Sequence, residues 1–164
     1  MANLRKEIMN IAMEREKRRE RGECVDSVDE VYEAREAMDE FFSLAELGAN
    51  AYNEGSGKRV ISAYRLTGEL LTLFLNLPGK RAGFCIIGPE RFAVFLDEVP
   101  NGILVLGQKK QPPGGTGGQI LTKARQLIRI TCLRSENGFI FKDNTGADID
   151  KEDIIKHIIN WVSE

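Results

Sequence analysis

Residues 127–142 read Leu127-Ile-Arg-Ile-Thr-Cys-Leu-Arg134, then Ser135-Glu-Asn-Gly138, then Phe139-Ile-Phe-Lys142. Apolar and polar side chains alternate in the first part, the pattern of a strand with one wet face. Ser135-Glu-Asn-Gly138 is a strong turn signal, and the apolar run after it returns as the partner strand. Strands joined by so short a turn must be antiparallel, because a parallel neighbour needs a long crossover.

The same grammar extends in both directions. Asp143-Asn-Thr-Gly146 closes the arm, and Asp150 caps a final helix over residues 151–163. Ile154, Ile155, Ile158, Ile159 and Val162 recur on one face of that helix, with Trp161 at its edge. Upstream, Ala82 to Ile87 and Arg91 to Asp97 flank Gly88-Pro-Glu90 as a hairpin. Pro100-Asn101-Gly102 turns the chain again before Ile103-Leu-Val-Leu106. Residues 120–126 read equally as helix or extended chain. Leu70 to Leu77 is short, apolar and followed by Pro78-Gly79, which predicts a buried strand. Val60 to Leu66 fits a strand or a helix, and that choice separates a barrel from an open sheet.

The first third reads as helical. Leu4, Ile8 and Ile11 recur at helical spacing in a first helix over 3–22. Residues 14–23 then carry no apolar side chain. Gly22 breaks the run, and Ser27 with Glu30 reads as a capping box opening a second helix to about Asn53. Val28, Val31, Met38, Phe42 and Ala45 form its apolar stripe. The expected fold is therefore α+β. An N-terminal antiparallel helical hairpin (1–56) precedes a mainly antiparallel sheet or partial barrel of about six strands. That module (57–164) ends in the amphipathic helix. The order of strands followed by a helix bearing Trp161 over 58–164 resembles a pleckstrin homology domain. The resemblance implies an order of elements and no particular function.

The 164 residues are 42% hydrophobic and 29% charged, which excludes a disordered chain. The opening residues are already charged and no apolar run is long enough to span a bilayer, so a soluble, cytoplasmic protein is expected. Cys24, Cys85 and Cys132 form neither a CxxC pair nor an even framework, so no disulfide scaffold or zinc site is expected.

Charge is strongly partitioned. Residues 1–24 carry net +2, 25–56 net −8, 57–142 net +8 and 143–164 net −4. Either the acidic helices neutralise the basic sheet, or part of that sheet stays open to an anion. An isoelectric point near 5.6 argues against a dedicated nucleic-acid binder. The segment Lys109-Lys-Gln-Pro-Pro-Gly-Gly-Thr-Gly-Gly-Gln119 offers a candidate anion site. The amides of Gly114, Gly115, Gly117 and Gly118 could form a nest, with Lys109, Lys110, Lys123 and Arg125 adding charge. It lacks the order of a P-loop. His157 lies one helical turn after Asp153 and is half of a possible acid–base pair, without a nucleophile motif to complete it.

These features support three functional readings. The first is a non-enzymatic intracellular interaction protein, an adaptor or scaffold. It would self-associate as a homodimer through Val28, Val31, Met38 and Phe42. The second is a small binding module for an anionic ligand, namely a phosphorylated small molecule, a lipid headgroup or RNA. The third is an enzyme using His157 and Asp153. No cofactor or metal is called for by any motif.

Overall fold

The computed structural model describes the backbone of residues 2–20, 25–75, 82–98, 101–110 and 123–164. Side chains are described at 3–17, 35–72, 83–98, 101–110 and 123–164. The order is α1 (Ala2–Glu20), α2 (Val25–Ser56), β1 (Ser62–Thr67), α3 (Gly68–Leu75), β2 (Ala82–Ile87), β3 (Arg91–Glu98) and β4 (Gly102–Lys109). It continues with β5 (Arg125–Ser135), β6 (Gly138–Lys142), β7 (Asp148–Ile149) and α4 (Lys151–Ser163). The fold is α+β, with seven antiparallel strands in sequential order. The sheet is open rather than closed into a barrel, and the undecided segment 60–66 supplies its edge strand, β1. No described helix is long and apolar enough to cross a membrane.

The β5–β6 hairpin forms as read, with Ser135 opposite Gly138 and Cys132 opposite Phe141. The β2–β3 hairpin closes where the Gly88 amide donates to the Arg91 carbonyl at 2.8 Å. Asp150 is extended, at φ −93° and ψ 132°, and its carboxylate accepts the Glu152 amide at the start of α4.

Two readings change. The run predicted as a strand from Leu70 is helical over its described residues: α3 occupies Gly68–Leu75, and 76 and 77 lie outside the described residues. The Thr67 hydroxyl accepts the Leu70 amide at 3.3 Å, an N-cap, and Glu69 sits in the first turn. The leucine-rich run has a single β-branched residue, Thr72, and so favours helix once capped. The second helix begins at Val25, so Ser27 lies inside it rather than capping it.

α2 and α4 lie on one face of the sheet. Ala37, Met38, Phe41, Phe42, Ala45 and Ala49 from α2 join Ile154, Ile155, Ile158 and Val162 from α4 in one core with Phe84, Phe95, Val105, Ile130 and Phe141. The other face carries a smaller cluster, in which Leu71 of α3 meets Cys85, Phe92, Val94 and Leu96. β3 is buried from Phe92 to Asp97 because both of its faces are covered. Asn53 fixes the α2–β1 connection: its side chain accepts the Val60 and Ile61 amides and donates to the Ile61 carbonyl, at 2.8–2.9 Å.

The burial of Met38 (3% exposed) and Phe42 (7%) corrects their assignment to an interface between copies. The stripe had to bury itself on something, and it buries on the chain's own sheet. The side chains of Val28 and Val31 lie outside the described residues. In α1, every described side chain from Asn3 to Lys17 is exposed, including Leu4, Ile8, Met9, Ile11 and Met13 at 52–59%. The two N-terminal helices thus follow one another in the chain, but no described side chain of α1 enters the core.

Candidate functional site

Ion pairs within the sheet, between the helices, and between helix and sheet answer part of the charge partition. Glu36 and Asp39 of α2 pair with Arg134 and Arg65, and Glu40 pairs with Lys151. Arg129 pairs with Glu98, Lys142 with Asp148 and Arg91 with Glu164. Such surface pairs stabilise little individually, but they cancel the sheet's field locally. The acidic helix α2 therefore pairs with two sheet cations, Arg65 and Arg134, and the strands pair others among themselves.

One corner escapes. Lys109 and Arg125 are the described strand cations with no carboxylate partner among the described residues, and Lys110 and Lys123 beside them have none either. The register gathers all four. Arg91 stands opposite Lys109, and Gly107, two residues back, stands opposite Arg125. The Lys110 amide bonds to the Glu90 carbonyl at 2.7 Å, and the Lys123 amide bonds to the buried Gln108 side chain at 2.9 Å. Both ends of the segment 111–122 are thereby tied to one end of the sheet.

Trp161 of α4 is the centre of this corner. A Cβ on Gly107 would lie 2.7 Å from its ring, so the missing side chain is what lets the indole rest against the strand. The Arg91 and Arg125 guanidinium carbons lie 5.1 and 5.5 Å from the indole centroid. Arg91 also donates to the Glu164 carboxylate at 2.7 Å and the Trp161 carbonyl at 3.4 Å. A register shift between Val105 and Leu106 explains how Arg125 arrives. Ile128 faces Val105 while Gln126 faces Leu106, so Leu127 is the extra residue of a bulge. The bulge inverts the alternation and puts Arg125, rather than Gln126, on the face that carries Ile128, Ile130 and α4.

Of the sequence-derived ligand residues, Lys109, Lys110, Lys123 and Arg125 come together and are exposed. Gly114, Gly115, Gly117 and Gly118 lie outside the described residues. Arg91 was not singled out by sequence reasoning. The signal was available in the Gly88-Pro-Glu90 and Pro100-Asn101-Gly102 turns, whose hairpins fix which residue opposes Lys109.

The other candidates fall elsewhere. His157 and Asp153 are both exposed on α4. A cleft of about 450 Å³ lies between α2 and β1, lined by residues including Glu46, Asn50, Arg59 and Ser62; it touches neither His157 nor Asp153. Cys85 is buried, and burial pushes its thiol up to about 11, against a smaller opposing hydrogen bond from the Tyr64 backbone, so it is poorly suited to act as a nucleophile. Among the described residues, no group of three or more His, Cys, Asp or Glu could hold a metal ion. Comparison with protein-family models, curated proteins and solved structures finds no match.

Proposed function

We propose that this chain is a small non-enzymatic binding module for an anionic ligand, taken up where β3, β4 and β5 meet Trp161. One observation carries the reading: among the described residues, the strand cations Arg65, Arg91, Arg129, Arg134 and Lys142 each have a carboxylate partner, whereas Lys109 and Arg125 do not. Outside this corner the unpaired Arg59 is held by the Ser62 and Tyr64 hydroxyls. Four cations remain there without carboxylate partners among the described residues. Like charges held together on a rigid sheet end repel one another, and an arriving anion relieves that repulsion. The exposed positions of His157 and Asp153 support a binding role over catalysis by that pair. Titration calorimetry with inorganic pyrophosphate at low salt tests the idea. Wild type is expected to bind, and added salt to weaken the binding. Replacing Lys109 and Lys110 together by glutamate is expected to weaken it by about tenfold or more. Absence of binding by wild type, or equal binding by the charge-reversed protein, removes the reading.

Self-association is a second reading, supported by α1 and no longer by Met38 and Phe42. Most helical stability in proteins comes from packing an apolar face, and α1 leaves Leu4, Ile8 and Ile11 exposed at the spacing of a helix–helix seam. Light scattering is expected to give an oligomer that Leu4→Lys with Ile8→Lys reduces to a monomer. A wild-type monomer at every concentration discards this reading.

A further inference from the structure

We infer that Arg91 and Arg125 form a two-guanidinium clamp for a phosphate group, and that the Glu164 carboxylate occupies one arm of the clamp when it is empty. This rests on the anion-binding reading and names its ligand class and its internal competitor.

Three observations lead there. The first is the shared platform. Two guanidinium groups from different strands lie against a single indole, at 5.1 and 5.5 Å. Stacking restricts both long side chains before any ligand arrives, so less rotamer freedom is lost on binding. The second is the type of charge. Two planar forks with Lys109 beside them suit a group with several oxygens and more than one negative charge. A phosphate monoester supplies three terminal oxygens and close to two charges at neutral pH; a carboxylate supplies two oxygens and one charge. The third is Glu164. Its carboxylate is 61% exposed, yet it is held at 2.7 Å on Arg91, while Arg125 on the same indole has no carboxylate among the described residues. One arm is filled by the chain's own anion and the other is open.

The competitor makes the clamp testable in both directions. A phosphate that engages both arms must displace Glu164 from Arg91. Removing the negative charge there should therefore tighten binding, both by freeing Arg91 and by lifting the repulsion of the incoming anion. Trp161 is the sole tryptophan, so its fluorescence reports the corner directly.

The experiment titrates inorganic phosphate, and separately acetate at matched ionic strength, into the full chain while following Trp161 emission. Flotation with phosphatidylcholine vesicles, with and without phosphatidic acid, forms the second arm and distinguishes a lipid phosphate from a free one. The expected result is a saturable response to phosphate or to phosphatidic acid vesicles, with none to acetate. Glu164→Gln should tighten the active arm several-fold. Arg125→Gln should weaken it by about tenfold, with an unchanged circular dichroism spectrum. Equal responses to phosphate and acetate, with Glu164→Gln unchanged, would overturn the clamp yet leave the corner as a general anion site. No response in either arm, with no pyrophosphate binding, would remove both.

Discussion

Phe41→Ala is expected to lower the free energy of unfolding by about 3–5 kcal/mol, the range for deleting a fully buried aromatic side chain. Phe41 is 0% exposed and joins layers that nothing else joins in the same way. Its ring lies 4.9 Å from Phe141 of β6, edge to face, and 6.0 Å from Phe95 of β3. Phe95 stacks on Phe84 of β2 at 4.3 Å, and Phe84 meets Phe42 of α2 at 5.5 Å. Truncation at Phe41 therefore opens a cavity between helix and sheet, and sheet atoms cannot close it without breaking ladder bonds. A domain of this size is stable by only about 5–15 kcal/mol in total, so the variant should lie near the edge of folding. Urea denaturation is the check: the midpoint should fall with little change in slope. A loss under about 1 kcal/mol would mean that α2 is not anchored to the sheet through this ring.

Gly88→Ala should cost about 3 kcal/mol, at the upper end of overpacking effects, although it adds one methyl group. Gly88 is not among the residues with positive φ, so its requirement is space rather than a left-handed backbone. A Cβ there would lie 1.9 Å from the Val162 carbonyl oxygen and 2.7 Å from its carbonyl carbon. These are main-chain atoms in the last turn of α4 and cannot rotate aside. The helix end must move, and it carries Trp161, so the emission of that residue should change along with the melting temperature. Gly55→Ala is the matched control. Nothing lies within 4 Å of its Cβ, and an added methyl inside α2 should be neutral or stabilising. Unchanged stability and emission in Gly88→Ala would show that the helix end packs more loosely than its geometry implies.

Local signals placed most of the elements. The turns at Gly88-Pro-Glu90, Pro100-Asn101-Gly102 and Ser135-Glu-Asn-Gly138 each fix a reversal within a few residues, so a mainly antiparallel sheet follows from the chain alone, while the β1–β2 and β4–β5 pairings do not. Asp150 with the isoleucines after it does the same for α4, since a cap and a 3.6-residue period are properties of contiguous chain. The Leu70 to Leu77 run misled because a short apolar stretch has no decisive period; the Thr67 cap, three residues earlier, carried the information.

The α+β class, the mainly antiparallel sheet, the final helix and the partition of charge between acidic helix and basic sheet were legible in the sequence, because all of these depend on neighbours along the chain; the sequential strand order and the open edge at β1 were not. Tertiary structure decided which of those charges cancel, since Glu36 reaches Arg134 and Asp39 reaches Arg65 only after α2 lies down on the sheet. It also decided that Met38 and Phe42 serve the core and not a second copy. Above all it decided the corner. Simple alternation along β5 would put Gln126 on the face of Ile128 and Ile130, and the bulge at Leu127 puts Arg125 there. A bulge is a mismatch between two strands, and no reading of either strand alone contains it.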